Sequence, residues 1–221
     1  MIDWHNLGHT LLALRLSPRH PFVYLHQIYE GVLARYAYAH FCVTDSMKSY
    51  LWENYALVNL TTLMDKPPER YKPLDLDEQT HFLETLEETK GIDRSKTKIL
   101  VTSTSYTADE PLEPLLSALM KYNETQNANL SRISLFITGR GPMQQRYASI
   151  IKESSLSGKS PNDKCTAHMV WLQPGDYPKL LASADLGISL HTSSSGLDFP
   201  MKIVDLFGCG VPVCAIRFEA Y

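Results

Sequence analysis

No stretch of this chain approaches the roughly 20 consecutive apolar residues that a membrane-spanning helix needs. The opening Met1-Ile2-Asp3-Trp4-His5-Asn6 lacks the basic-then-apolar order of a signal peptide, so the sequence as written reads as soluble. Excess charge is missing too: Lys+Arg 21 against Asp+Glu 24 leaves a formal charge of -3. The basic residues are scattered from Arg15 to Arg217, which argues against a nucleic-acid partner, because neutralising phosphates takes a surplus of Lys and Arg on one face. Cysteine is sparse. Cys42, Cys165, Cys209 and Cys214 form no Cys-x-x-Cys pair and have no His at metal-ligand distance, which excludes a zinc module by spacing. They read as reduced thiols, with Cys42, Cys209 and Cys214 in apolar runs, as suits a cytosolic or cytosol-facing protein. Internal repeats and low-complexity tracts are absent.

What is present is an ordinary globular balance, 221 residues with 44% hydrophobic and 20% charged side chains, enough to bury a real core. Phe22, Leu25, Tyr29, Val32 and Tyr36 recur at intervals of three and four, which predicts a helix with those side chains facing the core. His40 to Thr44 reads as a buried strand, followed by a helix through Leu51 that Asp45 or Ser46 would cap. Between Thr61 and Asp75 the prolines Pro67, Pro68 and Pro73 bar helix and central strand alike, so residues 65–75 read as an interdomain linker. Asp77 to Lys90 reads as a charged helix burying Phe82, Leu83 and Leu86, with Gly91 as its stop.

Beyond the linker, short apolar strands are expected at 99–102, 133–138, 169–172, 186–190 and 213–216. Helical patterns near 112–121, 142–151, 177–183 and 202–207 separate them. Strands alternating with helices predict an α/β, doubly wound parallel sheet, whose ligands sit in the crevice beyond the strands' carboxyl ends. The loops beginning at Ser103, Gly139, Gln173 and His191 are therefore where chemistry is expected.

Two of those loops carry suitable residues. Gly139-Arg140-Gly141-Pro142 follows a strand and opens a helix, a place where backbone amides can meet phosphate; a tight strand-to-helix turn would also call for the same glycines. His191-Thr192-Ser193-Ser194-Ser195-Gly196 supplies hydroxyls and amides for an anion, Lys202 a point charge, and Asp205 an acceptor for ribose hydroxyls. The same loop also reads as a solvated turn with Asp198 as a helix cap. A dinucleotide dehydrogenase fits poorly, because Gly139-Arg140-Gly141 lacks the third glycine of that fingerprint.

The run Pro200-Met201-Lys202-Ile203-Val204-Asp205-Leu206-Phe207-Gly208-Cys209-Gly210-Val211-Pro212-Val213 resembles the donor-site helix of GT-B glycosyltransferases. There Pro-x-Lys precedes an acid that binds the donor ribose, and Gly-x-Pro-Val opens the next strand; Asp205, Gly210 and Pro212 fall in register. Nearly the whole chain is similar to the eukaryotic β-1,4-mannosyltransferases that add the first mannose to dolichol-linked chitobiose in N-glycan assembly. The blocks that carry this include Ile2-Asp3-Trp4-His5-Asn6, Asp65-Lys66-Pro67, Val101-Thr102-Ser103-Thr104-Ser105, Ile137-Thr138-Gly139-Arg140-Gly141-Pro142 and Leu190-His191 through Asp198.

The resemblance implies a GT-B fold, with residues 1–64 as the end of an N-terminal acceptor-side Rossmann-like domain and 76–221 as a nearly complete donor domain. It implies mannose transfer with inversion from GDP-mannose to dolichol-diphosphate-linked chitobiose, at the cytosolic face of the endoplasmic reticulum membrane. Partners would be that membrane surface and other mannosyltransferases of the same pathway. No bound cofactor or metal is implied, although a divalent cation could assist at the diphosphate. The donor site would comprise Gly139, Arg140, Gly141, His191, Ser193, Ser194, Ser195, Lys202 and Asp205. The catalytic base stays open among His5, Asp3 and Asp198, with His191 and Glu30 as rivals.

Retaining relatives carry a pair of glutamates, whereas here Asp198 and Asp205 stand seven positions apart and are shorter acids, which fits an inverting branch. The family also has further N-terminal strands and a membrane anchor ahead of this region, and final helices after Phe218-Glu219-Ala220-Tyr221. The expectation is thus a truncated member, with a catalytically inactive paralogue or a GT-B transferase of different donor or acceptor as the alternatives.

Overall fold

The computed structural model describes residues 1–90, 92–125, 129–160 and 163–217. By their contacts they form two compact units, one of residues 1–66 with 192–201, the other of residues 67–191 with 202–216.

The first unit holds three short parallel strands, β1 (Ile2–Trp4), β2 (His40–Cys42) and β3 (Leu60–Thr62), in that spatial order, with Trp4 opposite Cys42 and Cys42 opposite Thr62. Helix α1 (Gly8–Leu16) begins without a side-chain cap of its own. Glu30 supplies one instead: its carboxylate accepts from the backbone N–H of Gly8 at 2.6 Å and of His9 at 3.2 Å. An anion at a helix N-terminus satisfies two orphan donors and meets the positive end of the helix dipole. Glu30 belongs to α2 (Pro21–Ala34), which opens with Pro21 at its first position and the His20 ring accepting from the Phe22 N–H.

Helix α2 exists as expected, but its inward face does not. Phe22, Leu25, Tyr29, Val32 and Tyr36 are 63%, 58%, 58%, 47% and 85% exposed, while Val23, Gly31 and Ala34 are buried. The reason is steric. Gly31 lies flush against the Tyr55 ring, where even a Cβ would come within 2.8 Å, so the helix approaches its neighbour along its small residues and turns the bulky ones outward.

Helix α3 (Asp45–Tyr55) is capped by Thr44 rather than by Asp45 or Ser46: the Thr44 hydroxyl accepts from the Met47 N–H at 3.0 Å. It runs past Leu51 to end at Ala56 in the left-handed conformation. Trp4, Leu7, Ala34, Cys42, Val43, Met47, Leu51, Tyr55, Leu57 and Leu197 form the unit's core.

The second unit is a five-stranded, all-parallel sheet. Its strands are β4 (Thr97–Ser103), β5 (Arg132–Thr138), β6 (Cys165–Val170), β7 (Leu186–Ser189) and β8 (Val213–Ala215), in the order β6-β5-β4-β7-β8. The chain winds outward from β4 in one direction, returns to β7 and continues the other way, so the order reverses at β4. Successive residues alternate between the two faces. Ile99, Val101, Phe136 and Val170 join one cluster with Phe82, Leu83, Leu180, Leu181 and Leu206. Leu135, Ile137, Cys165 and Ala167 join the other with Leu115, Leu116, Leu119, Tyr147 and Ile151. The helices that cover these faces are α4 (Leu76–Thr85), α5 (Glu113–Glu124), α6 (Gln144–Glu153), α7 (Tyr177–Ala182) and α8 (Met201–Gly208).

Several boundaries differ from the sequence pattern. Helix α4 starts at a capping box between Asp75 and Glu78 and stops at Thr85, short of Lys90, with a single 3₁₀ turn at Glu87–Thr89 beyond it. Its expected stop, Gly91, lies outside the described residues, as does 218–221. Strand β6 begins four residues earlier than the apolar run 169–172 because Thr166 and His168 interrupt the run with polar side chains. Helix α6 starts at Gln144, which leaves Pro142 in the turn ahead of it. All four cysteines are free; Cys42, Cys165 and Cys209 are buried, whereas Cys214 is exposed despite its apolar neighbours. Among the described residues no helix is long and apolar enough to cross a membrane.

Candidate functional site

The order reversal at β4 leaves the carboxyl ends of β4, β5 and β6 facing a cavity of about 470 Å3 in the second unit. Ser103, Thr104 and Ser105 enter it from β4, Thr138 and Gly139 from β5, Trp171 to Pro174 from the turn after β6, and Lys202 from α8. Arg70 and Tyr71 close it from the proline-broken stretch that the sequence reading treats as a linker.

The glycines of the Gly139–Gly141 turn have a definite steric cause. A Cβ on Gly139 would stand 1.8 Å from the Thr104 carbonyl oxygen, and one on Gly141 would stand 1.7 Å from that of Ser105. Gly139 also has φ of +128°, open only to glycine at low cost. The two glycines thus seat the β4 loop directly on the β5 turn, which shapes the cavity floor. Arg140 between them turns aside, its guanidinium 3.8 Å from the centroid of the half-exposed Trp171 ring.

Lys202 is ion-paired with Glu110. Glu110 follows β4 and is buried; its Oε2 accepts from the Thr104 hydroxyl at 2.9 Å and the Ser105 N–H at 2.5 Å. His191 Nδ1 lies 3.5 Å from Glu110 Oε1 and 3.5 Å from Asp109 Oδ2. Burial pushes the Glu110 carboxyl up, but the bonds from His191, Lys202 and the Ser105 amide outweigh it and hold the group at about 2. Glu110 is therefore an anion throughout the physiological range.

Asp205, one turn further along α8, is held differently. Burial raises its pKa, offset in part by a hydrogen bond from Tyr71 and the charge of Arg70. Tyr71 in turn meets Tyr177 edge-on with ring centroids 6.1 Å apart, and Tyr177 bonds Ser103 at 2.8 Å. Asp205 thus keeps acceptor capacity beside a rim of phenols, as a site for sugar hydroxyls would.

Asp109, Glu110 and His191 also place ligand atoms within 4.8 Å of one another. Spacing along the chain excludes metal clusters only between sequence neighbours, and this group joins residues about 80 positions apart. Its central carboxylate already carries the Lys202 ammonium.

The remaining sequence candidates belong to the first unit. His5 Nε2 lies 3.2 Å from Asp3 Oδ2 in β1 and its Nδ1 3.8 Å from Asp65 Oδ2, which follows β3; His5 and Asp3 are exposed. Ser193 and Ser195 use their hydroxyls on their own loop. Ser193 and Ser195 both donate to Asp198 Oδ1, Ser193 Oγ accepts the Gly196 N–H at 2.8 Å, and Ser194 meets the Thr10 hydroxyl at 3.0 Å. Asp198 is buried as the hub of that turn. The rival Glu30 is spent on capping α1 and on His9 Nδ1 at 2.7 Å. The structure thus gathers Gly139, Arg140, Gly141, His191, Lys202 and Asp205 in the second unit, and Asp3, His5, Ser193, Ser194, Ser195 and Asp198 in the first. Sequence reasoning missed Glu110, Tyr71 and Trp171; the loop beginning at Ser103, expected to carry chemistry, was the signal closest to Glu110.

Over its full length the chain is 43% identical to the chitobiosyldiphosphodolichol beta-mannosyltransferase of Candida albicans. The chain is a homologue of these beta-mannosyltransferases. It is likewise 38% identical to the Mus musculus and 37% to the Homo sapiens protein of that name, each over 99% of the chain. It spans about half the length of these relatives: 47%, 50% and 52% respectively. No family model matches. Among solved structures, WaaG, a glycosyltransferase involved in lipopolysaccharide biosynthesis, superposes with a TM-score of 0.67 at 14% identity, over 100% of this chain and 57% of WaaG. Anabaena HepE, solved with UDP and glucose, gives 0.63 at 15%, over 97% of this chain and 52% of HepE. The fold is accordingly α/β of the GT-B glycosyltransferase type.

Proposed function

We propose that the chain carries the donor-binding chemistry of a β-1,4-mannosyltransferase that moves mannose from GDP-mannose to dolichol-diphosphate-linked chitobiose on the cytosolic face of the endoplasmic reticulum. The observation that carries this reading is the pairing on one helix, α8, of a cavity-lining Lys202 with a half-buried Asp205, in a chain similar throughout to mannosyltransferases of that name. Lys202 supplies charge to the donor's diphosphate and Asp205 accepts from its ribose. Gly139, Arg140, Gly141 and His191 complete the phosphate side. A divalent cation at the diphosphate would assist the same step.

In an inverting transfer the acceptor hydroxyl attacks the anomeric carbon of mannose from the face opposite GDP. The carbon–oxygen bond to the diphosphate breaks with its electron pair, and a base takes the hydroxyl proton. Stabilising the departing diphosphate is the electrostatic part of the work, and it falls to Lys202. The proton falls to His5, whose ring Asp3 orients through the 3.2 Å contact, in preference to Asp198, whose carboxylate is occupied by two serine hydroxyls.

Calorimetric titration of GDP, GDP-mannose and UDP into the 221-residue chain tests the donor reading. GDP and GDP-mannose are expected to bind and UDP much less, with binding lost in Asp205→Ala. A folded chain that takes up none of the three refutes the assignment and leaves the inactive-paralogue reading in its place.

A further inference from the structure

Lys202 lines the cavity, yet its ammonium is already neutralised by Glu110. The two partners differ in freedom. Glu110 is fixed, since its carboxylate is buried and bonded to the Thr104 hydroxyl and the Ser105 amide of its own loop. Lys202 sits on a four-carbon stem that can swing. Two carboxylates, those of Asp109 and Glu110, stand around His191, and that of Glu110 also holds Lys202. To bind Lys202, an incoming diphosphate must draw it away from a carboxylate that stays ionised.

We propose that Glu110 acts as an internal competitor for Lys202, holding down the affinity for nucleoside diphosphates so that the diphosphate product is released. The proposal rests on the reading that Lys202 binds the donor's diphosphate. It goes further by giving a role to an acid that need not touch the nucleotide: Glu110 acts through Lys202.

Glu110→Gln keeps the shape and one acceptor oxygen while removing the charge. GDP is expected to bind this variant about tenfold more tightly than wild type, with a correspondingly slower dissociation of a fluorescent GDP analogue in stopped flow. In a Lys202→Met background the same change is expected to alter GDP affinity by less than about threefold, since the competition has lost its object. A folded Glu110→Gln chain that binds GDP no more tightly than wild type overturns the proposal, and so does an undiminished effect in the Lys202→Met background, which would mean direct repulsion. A wild-type chain that binds no nucleoside diphosphate overturns the donor reading and the proposal with it; binding that is indifferent to Glu110 overturns the proposal alone. Should Glu110→Gln fail to fold, the wild type decides. With lysines converted to 13C-dimethyl-lysine, the Lys202 resonance, assigned by its loss in Lys202→Arg, moves at saturating GDP if the ion pair is broken and stays in place if the proposal is wrong.

Discussion

The two units bury their cores by different means. In the second unit, seven-residue strands β4 and β5 carry large apolar side chains to both faces, and Ile99, Val101, Leu135, Phe136 and Ile137 are completely enclosed. In the first unit, three-residue strands leave one cluster, and helix α2 reaches it through Gly31 and Ala34 while eight larger apolar or aromatic residues from Phe22 to Tyr36 stay exposed. The sheet faces of the second unit are filled with bulk, whereas α2 meets its core by close approach along small residues. The difference teaches that hydrophobic periodicity locates a helix more securely than it orients one.

The sharpest way to break this contrast is to put bulk where the second unit also depends on close approach. Gly141→Ala places a Cβ 1.7 Å from the Ser105 carbonyl oxygen, a backbone atom that cannot yield without moving the whole β4 loop. The expected loss is more than about 4 kcal/mol of stability, or a loop displaced enough to abolish nucleotide binding, read by thermal melting and by GDP titration. A variant as stable and as active as wild type would show that the turn is not seated as described.

The same test in the first unit should give a smaller answer. In Gly31→Ala the new methyl meets the Tyr55 ring at 2.8 Å, and a ring edge can retreat where a backbone carbonyl cannot, so the expected cost is about 1–3 kcal/mol. Val32→Ala, one position on and 47% exposed, should stay within about 0.5 kcal/mol. Urea unfolding of the pair decides which face of α2 is inward: the reverse ranking would restore the orientation that periodicity suggests.

What was legible follows from the same physics. Strands β4, β5, β7 and β8 could be placed because each is a short, mostly apolar run between helical patterns. Strand β6 was misplaced because Thr166 and His168 are polar. Lys202, Asp205 and the Gly139–Gly141 turn were legible because they follow strands at the carboxyl edge of a parallel sheet, where chain order alone predicts a site. Glu110 was not, since the partner that gives it meaning lies 92 residues away. Tyr71 was hidden by the prolines around it, which mark the segment as irregular without telling what it covers. Ser193 and Ser195 suited an anion by type, yet type does not tell that Asp198 accepts both hydroxyls.

The smallest effect worth measuring concerns a single oxygen in the first unit. Thr44 Oγ1 accepts from the Met47 N–H at 3.0 Å, capping α3, and donates to the Leu197 carbonyl at 2.5 Å, which ties the Ser-rich loop to the same helix start. Thr44→Val keeps the shape and removes both bonds. Losing a cap costs about 1 kcal/mol, and because Thr44 and Leu197 are buried, water does not readily replace either partner. Thr44→Ser keeps the oxygen and should recover most of that loss. If Val and Ser unfold at the same urea concentration, neither bond stabilises the folded state. If Val alone shifts, by the expected amount, then this unit draws a measurable part of its stability from one polar contact of the sort that hydrophobic patterning cannot reveal.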